Sequence, residues 1–438
     1  MGVVDVYTLN YDIIYIYIYY MIIENLKINK NTTTFLINNK EFYLKYNIEY
    51  EKYISSNYDG PLILALPIAM RNNENLIIKG KVSYKLFHNV THYLMKIINI
   101  MIPECKPINI EVDDFSYSKE YNNVGVGCGL SCGIDSLCCV QDYYFDIEDN
   151  PYKLTHVTNF DAGGSGNSST IFNKRVSNVE LYCQETTLNM LKVETNFTTI
   201  LTGNHITYHV FRNLSIPLFF QKLFCKYYYS SAYSYVDCKI TKSDDIAYGD
   251  PIVISLLSTE NIEFISHGCQ YTRPQKTLKV SEKNPLSYKY LDVCVNGTFV
   301  HNNNTFLNCS TCWKCLRTLT TLDYYKKLHH YKNVFELEKY YKEKDTILKT
   351  LNTNDPLQRE IIELYKNNNK IGNLWLALKS HWKLSGNKLT STSETFLKKN
   401  ELHSSKLDDK LKIKIPLNKE VLYIKEFNNN YYLVSHPL

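Results

Sequence analysis

Apolar residues recur at every second position through much of the first quarter of the chain, in ENLKINKN, FLINNKEFYLKYNIEY and NLIIKGKVSY. A period of two predicts strands with one buried face. FHNVTHYLMKIINIMI reads instead as a helix that ends before Pro103. Residues 21–115 are therefore expected to form a small β-rich domain with one or two helices; its PLILALPIAM segment carries no chemistry we can name.

From Tyr121 the pattern changes. Four strand-like runs, VGVGCGL, KLTHVTNF, MLKVETNF and ENIEFISHG, alternate with longer helical stretches. Those stretches are IDSLCCVQDYY, NSSTIFNKRVSNVELYCQETTL, NLSIPLFFQKLFCKYYYSSAYSYV and DDIAYGDPIVISLLST. Such alternation predicts a doubly wound parallel α/β sheet over residues 116–325, with ligands outside the carboxyl ends of the strands. Beyond Leu316 the chain reads as helical, so residues 326–438 are expected to be a helical region. It includes NLWLALKSHWKL, a polar Lys-rich tail from about Ser391, and a final hairpin, EVLYIKEFNNNYYLVSH.

A length of 438 residues exceeds what one hydrophobic core usually supports. With 44% apolar and 21% charged residues, the chain is neither disordered nor membrane-embedded in composition. A net charge of +5 singles out no partner, and the 38 tyrosines, in an Asn-, Lys- and Ile-rich chain, are given no role. Thirteen cysteines is an odd number, and several are crowded at metal-ligand spacing, which points to a reducing, cytoplasmic compartment rather than a disulfide framework. The apolar segment from Tyr11 to Ile23 is too short to span a bilayer and lacks the features of a signal peptide. It reads as a strand, or as a non-native leader over residues 1–20 before a start at Met21. No membrane partner is expected.

The first chemically informative stretch is GVGCGLSCGIDSL, Gly125 to Leu137. A buried strand that turns through Gly and Ser into a helix aims backbone N–H groups at one point and makes an anion site. A Walker loop needs Gly-Lys-Ser/Thr, and no lysine lies between Glu120 and Pro151. A dinucleotide fingerprint would use Gly127 and Gly129, but Cys132 stands where the third glycine belongs. The same residues would also serve as a plain strand-to-helix turn that binds nothing. Ser131-Cys132-Gly133-Ile134-Asp135-Ser136 resembles the Ser-Gly-Gly-x-Asp-Ser loop of the PP-loop ATP pyrophosphatases, with Cys132 for the first glycine. A cysteine is expected to keep that turn only at negative φ, because a Cβ is costly at positive φ.

The second stretch places Cys294 ahead of Cys309, Cys312 and Cys315, which follow one another at C-x2-C spacing. Four thiolates at such spacing suit a closed structural Zn2+ site, here a knuckle over residues 294–317. Cys294 is the expected fourth ligand, with His301 and Cys269 as competitors.

Together the two stretches resemble the 7-cyano-7-deazaguanine synthase-like subgroup of the PP-loop family, which pairs this loop with such a knuckle and a nearby arginine, here Arg317. The resemblance covers roughly Val124 to Leu322, and longer members with extra domains occur in anti-phage and uncharacterised biosynthetic operons. It implies an adenine-nucleotide alpha-hydrolase-like fold and an ATP-dependent, AMP-forming ligase using ATP, Mg2+ and Zn2+. A carboxylate or amide oxygen of a small-molecule or base-like substrate would attack the α-phosphate, and ammonia would then displace AMP. The loop residues Ser131, Cys132, Gly133, Ile134, Asp135 and Ser136 would bind ATP, with Asp135 holding Mg2+ or orienting the loop. Asp135, Arg273, Lys276 and Arg317 are the candidate catalytic residues; the three cations would neutralise charge.

Asp161, in FDAGGSGNSS after the second strand, and His267 and Gly268, at the end of the fourth, stand where an α/β fold contacts a nucleotide. His205, His209 and Asn196 are weaker candidates. The family leaves two alternatives: tRNA thiolation through Cys132, Cys138 or Cys139, and an ATP-binding subunit of a defence complex with impaired catalysis. Operon-encoded protein partners are implied by the same resemblance. Nucleic-acid binding rests only on the Lys-rich tail and the modest positive charge.

Overall fold

The computed structural model describes residues 19–166, 168–200, 205–302 and 305–366, with short strands nearer both ends. Two compact units are present, Met1–Tyr341 and Lys342–Leu438.

The first unit is built on one ten-stranded sheet. Its strands are β1 (Tyr20–Asn29), β2 (Thr32–Ile37), β3 (Lys40–Tyr46), β4 (Asn75–Ser83), β5 (Ile110–Ser116), β6 (Gly125–Gly129), β7 (His156–Phe160), β8 (Asn189–Thr195), β9 (Phe224–Ser230) and β10 (Glu263–His267). They lie in the order β10-β9-β6-β7-β8-β3-β2-β1-β4-β5. From β10 to β8 every pairing is parallel. Numbered from β6, these five strands run 3-2-1-4-5, so the winding reverses between β6 and β9, the crevice where a doubly wound sheet binds its ligands.

Sequence pattern alone missed β9, which lies inside a run read as helical. The helix His205–Ser215 and a 3-10 turn over Pro217–Phe220 occupy the first part of that run, after which the chain extends. FCKYYYS is rich in aromatic side chains that suit a pleated surface, and Phe224, Tyr227 and Tyr228 are buried. Neighbouring β6 makes room for them. A Cβ on Gly127 would come within 2.6 Å of the Phe224 ring.

The expected boundary at 115/116 does not divide the structure. β8 pairs antiparallel with β3, Val193 opposite Tyr46, so the N-terminal strands cover an edge that would otherwise be open. One apolar cluster holds Phe35, Leu62, Val193 and Phe219 together. α1 (Asp59–Asn72) is tied into it by Asp59, fully buried, whose carboxyl accepts from Ser83 N (2.8 Å), Ser83 Oγ (2.6 Å) and Gln221 Nε2 (2.7 Å). Burial raises its pKa while these bonds pull the other way.

The second unit contains most of the helix Leu337–Thr350, the helix Pro356–Lys366, and an antiparallel sheet of β11 (Ile413–Leu417), β12 (Glu420–Phe427) and β13 (Asn430–Val434). β12 and β13 are the expected final hairpin. The NLWLALKSHWKL helix, the polar tail before β11 and most of residues 1–20 lie outside the described residues. Among the described residues, no helix is long and apolar enough to cross a membrane.

Candidate functional site

β6 ends at Gly129, and Leu130 to Gly133 turn the chain into α2 (Ile134–Val140). Cys132 holds this turn at a φ of 56°, in the left-handed region, not at the negative φ expected of a cysteine. The conformation is the one a glycine would supply, at a cost of about 1–2 kcal/mol for a residue with a Cβ. Two anchors stabilise it: the side chain is fully buried, and the Cys132 carbonyl accepts from Asp292 N at 3.0 Å. Within the turn, Ser136 Oγ donates to Gly133 O (3.0 Å), and Gly133 N donates to Ser131 Oγ (3.3 Å).

α2 carries Asp135 into an ion-paired layer. α5 (Arg273–Lys283; α3 and α4 are Ser169–Gln184 and His205–Ser215) begins at a capping box in which Thr272 and Gln275 satisfy each other's backbone N–H groups. Its first turn sends Arg273 Nη1 to Asp135 Oδ2 (2.5 Å) and Lys276 Nζ to Asp135 Oδ1 (3.0 Å). Lys276 is fully buried and also donates to Ser231 O at 2.7 Å, beyond the end of β9. Burial would raise the Asp135 pKa, but Arg273 and Lys276 outweigh it and hold the carboxyl below its usual value. Gly268, at a φ of 98°, leaves the space for this lysine, since a Cβ there would come within 2.9 Å of Nζ.

Ser131, Gly133, Ile134, Asp135, Ser136, Arg273, Arg317 and Cys294 line one cavity of about 620 Å³ at the switch point. Arg175 of α3 and Lys314 of α6 (Trp313–Tyr324) line it too, and sequence reasoning missed both. Arg175 Nη1 donates to Gly164 O (2.7 Å) and Nη2 to Cys294 O (2.9 Å). Burial and the neighbouring Arg317 and Arg273 lower the Lys314 pKa to about 8. Lys314 lies between two ligand cysteines, so the knuckle spacing that located Arg317 also marked it; Arg175, mid-helix, had no local signal. A second lobe of about 280 Å³ shares Ser131, Asp135, Ser136 and Arg175 and adds Thr158, Asn159, Tyr227 and Tyr229 from the strand ends.

Other expected residues fall elsewhere. Lys276 and Cys132 sit behind the cavity wall. His267 is buried against Asp142 (2.8 Å), and Asp142 also pairs with Lys279. Gly163 to Gly166 line the cavity, whereas Asp161 does not; its backbone bonds to Val193 O and Thr195 Oγ1. His205 reaches the cavity and His209 does not. Asn196 bridges to β3 by accepting from Tyr43 N and donating to Glu41 O. Cys138 and Cys139 are buried on the helix, and desolvation raises both thiols and that of Cys132, which leaves none as an exposed thiolate.

Cys294, Cys309, Cys312 and Cys315 bring their sulfurs within 4.8 Å of one another, so the fourth position belongs to Cys294 rather than to His301 or Cys269. Cys312 Sγ and Cys309 Sγ stand 3.4 and 3.9 Å from Cys315 Sγ. A tetrahedron with metal–sulfur bonds of about 2.3 Å sets its sulfurs about 3.8 Å apart, so the cluster suits a metal such as zinc. Cys312 N donates to Cys309 Sγ (3.2 Å), a bond that supports a thiolate there. Cys138, Asp142 and His267 also lie within ligand distance of one another, but Asp142 is already committed to its two cations.

Comparison with family models, with curated proteins and with solved structures finds no match.

Two measurements check this geometry. The purified chain should carry about one zinc by elemental analysis, with Cys312→Ser losing most of it and a chelator lowering the melting temperature. At the turn, Cys132→Gly should leave stability within about 1 kcal/mol, because relief of the left-handed strain offsets lost burial, whereas Cys132→Val should cost more than about 2 kcal/mol in urea unfolding.

Proposed function

We propose that this chain is an AMP- and pyrophosphate-forming ligase of the PP-loop type. ATP would occupy the two-lobed cavity, with its phosphates on the Ser131 to Ser136 turn and its nucleoside in the lobe formed by Thr158, Asn159, Tyr227 and Tyr229. The observation that carries this reading is the set of cationic side chains, Arg175, Arg273, Lys314 and Arg317, which line the cavity at the switch point with the turn, where Asp135 and Asp292 are the only acidic lining among the described residues.

The chemistry suits those residues. A carboxylate or amide oxygen of a small-molecule or base-like substrate attacks the α-phosphorus; pyrophosphate leaves, and ammonia then displaces AMP from the activated carbon. Charge builds up on the phosphates as the bond breaks, so fixed cations and backbone dipoles lower the barrier more than a general base would. Arg273 and Arg317 are the stabilising groups, and Lys314 adds a third charge. Asp135 orients Arg273 and Lys276. Both its oxygens are taken by those cations, so it does not provide a dedicated Mg2+ site. Mg2+ would arrive bound to the ATP phosphates.

The test is product analysis of α-labelled ATP and Mg2+ incubated with the protein and an extract of the source cell. Wild type should release AMP and pyrophosphate, and Asp135→Ala or Arg317→Ala should lower the rate by roughly a hundredfold or more. Tight ATP binding with no AMP would assign a nucleotide-binding subunit instead. Neither binding nor AMP would overturn the reading.

A further inference from the structure

A further cavity, of about 570 Å³, borders the switch-point cavity: Arg175 and Asp292 line both, with Arg175 Nε 3.9 Å from Asp292 Oδ2. One wall is α3, through Asn173, Ser177, Asn178 and Leu181; the other is the chain between Cys294 and Cys309, through Phe299, Val300, Phe306 and Leu307. Named bonds hold the two walls in place. Lys174 Nζ donates to Val300 O (3.1 Å), His301 O (2.8 Å) and Asn302 O (3.0 Å), so its ammonium donors serve the end of the helix Gly297–His301. Asn178 Nδ2 donates to Tyr290 O at 2.8 Å. A preformed cavity of this volume falls in the range of about 300–1,000 Å³ that small-molecule sites occupy.

Its lining selects a chemistry. Leu181 and the four residues of the second wall supply apolar surface, and two of them are phenylalanines, whose rings pack well against a flat partner. With Lys174 committed to carbonyls, Arg175 is the cation placed to meet a ligand. Two of its five N–H donors go to Gly164 O and Cys294 O and its Nε faces Asp292, so each Nη keeps one N–H. A single anionic group is therefore matched at the border with the switch-point cavity, while a second charge or a polyhydroxylated body would lie unpaired against the phenylalanines.

We propose that this cavity is the acceptor subsite of the ligase, and that the acceptor is a monocarboxylic acid on a flat, largely apolar ring. The inference rests on the ligase reading for its reaction. The ring lies against Phe299 and Phe306, and the carboxylate reaches Arg175. One carboxylate oxygen forms a bond to the α-phosphorus of ATP as the bond from that phosphorus to the pyrophosphate oxygen breaks. Ammonia then adds to the acyl carbon; AMP leaves with the acyl oxygen bond, one proton is lost, and an amide remains. Arg175 thus binds the acceptor, and the chain between the first two knuckle cysteines sets which ring is accepted.

The full-length, zinc-loaded chain is titrated with 2-naphthoate as the probe and read by saturation-transfer NMR, and MgATP binding is measured separately by calorimetry. Naphthoate should bind with a Kd of about 1 mM or tighter and stay bound when a non-hydrolysable ATP analogue is added to saturation. Neutral 2-naphthamide, which lacks the charge that pairs with Arg175, should bind roughly tenfold more weakly. Ser177→Trp, exposed on the α3 wall, should fill the cavity and weaken naphthoate by about tenfold or more. If that variant does not fold, wild-type crystals soaked with naphthoate locate the probe instead. Displacement of naphthoate by the analogue, a position outside this cavity, indifference to a folded Ser177→Trp, or no binding at about 5 mM would each overturn the proposal. Naphthoate seated at Arg175 in a chain that binds no MgATP would keep the acid subsite and remove the ligase reading.

Discussion

The candidate site depends on one carboxylate held between two cations. Asp135 comes from the helix after β6, Arg273 and Lys276 from the helix after β10, and Lys276 continues to a carbonyl beyond β9. Three strand ends on either side of the switch point are thus fixed to one another by a single charged group. Buried ion pairs add little net stability, but removal of one partner leaves an uncompensated charge and is costly. The value of this arrangement is positional. It points the loop serines and Arg273 into the same cavity and determines which side of the turn faces a ligand.

The four-cysteine knuckle performs the matching task from the opposite wall. Cys312 and Cys315 bracket Lys314, and Arg317 follows two residues later on the same helix, so a metal that fixes the cysteines also fixes the two cations. Cys132 serves the loop in a comparable way. Its left-handed backbone is the strained element of the turn, kept in place by burial and by the amide of Asp292, which precedes the knuckle. Loop and knuckle are therefore coupled through the backbone as well as across the cavity.

The parts legible in the sequence were those with dense local signals. The loop and the four cysteines could be read because their spacing constrains geometry within a few residues, and the alternation of strands and helices indicated the parallel sheet. β9 was missed because its apolar run follows a helix and a 3-10 turn with only Gln221 and Lys222 as a polar break, too short to read as a turn; only its aromatic content marked it as a strand. The continuity of the sheet was hidden for a different reason. Pairing of β3 with β8 joins residues about 150 positions apart, and no local pattern records it. Arg175 was invisible on the same grounds: only the fold brings the middle of α3 to the loop after β6. Asp161, His267 and Gly268 stood at the expected strand ends but support the site's neighbours instead of lining it.

On the proposed reading a polyphosphate would sit between the Ser131 to Ser136 turn and the cations of α5 and α6. Crystals grown with pyrophosphate and Mg2+ test it most directly. Phosphate density within hydrogen-bonding distance of Ser131 or Ser136 and of Arg273, Lys314 or Arg317 is the expected result. A saturating ligand found outside this cavity, or none bound in it, would contradict the assignment.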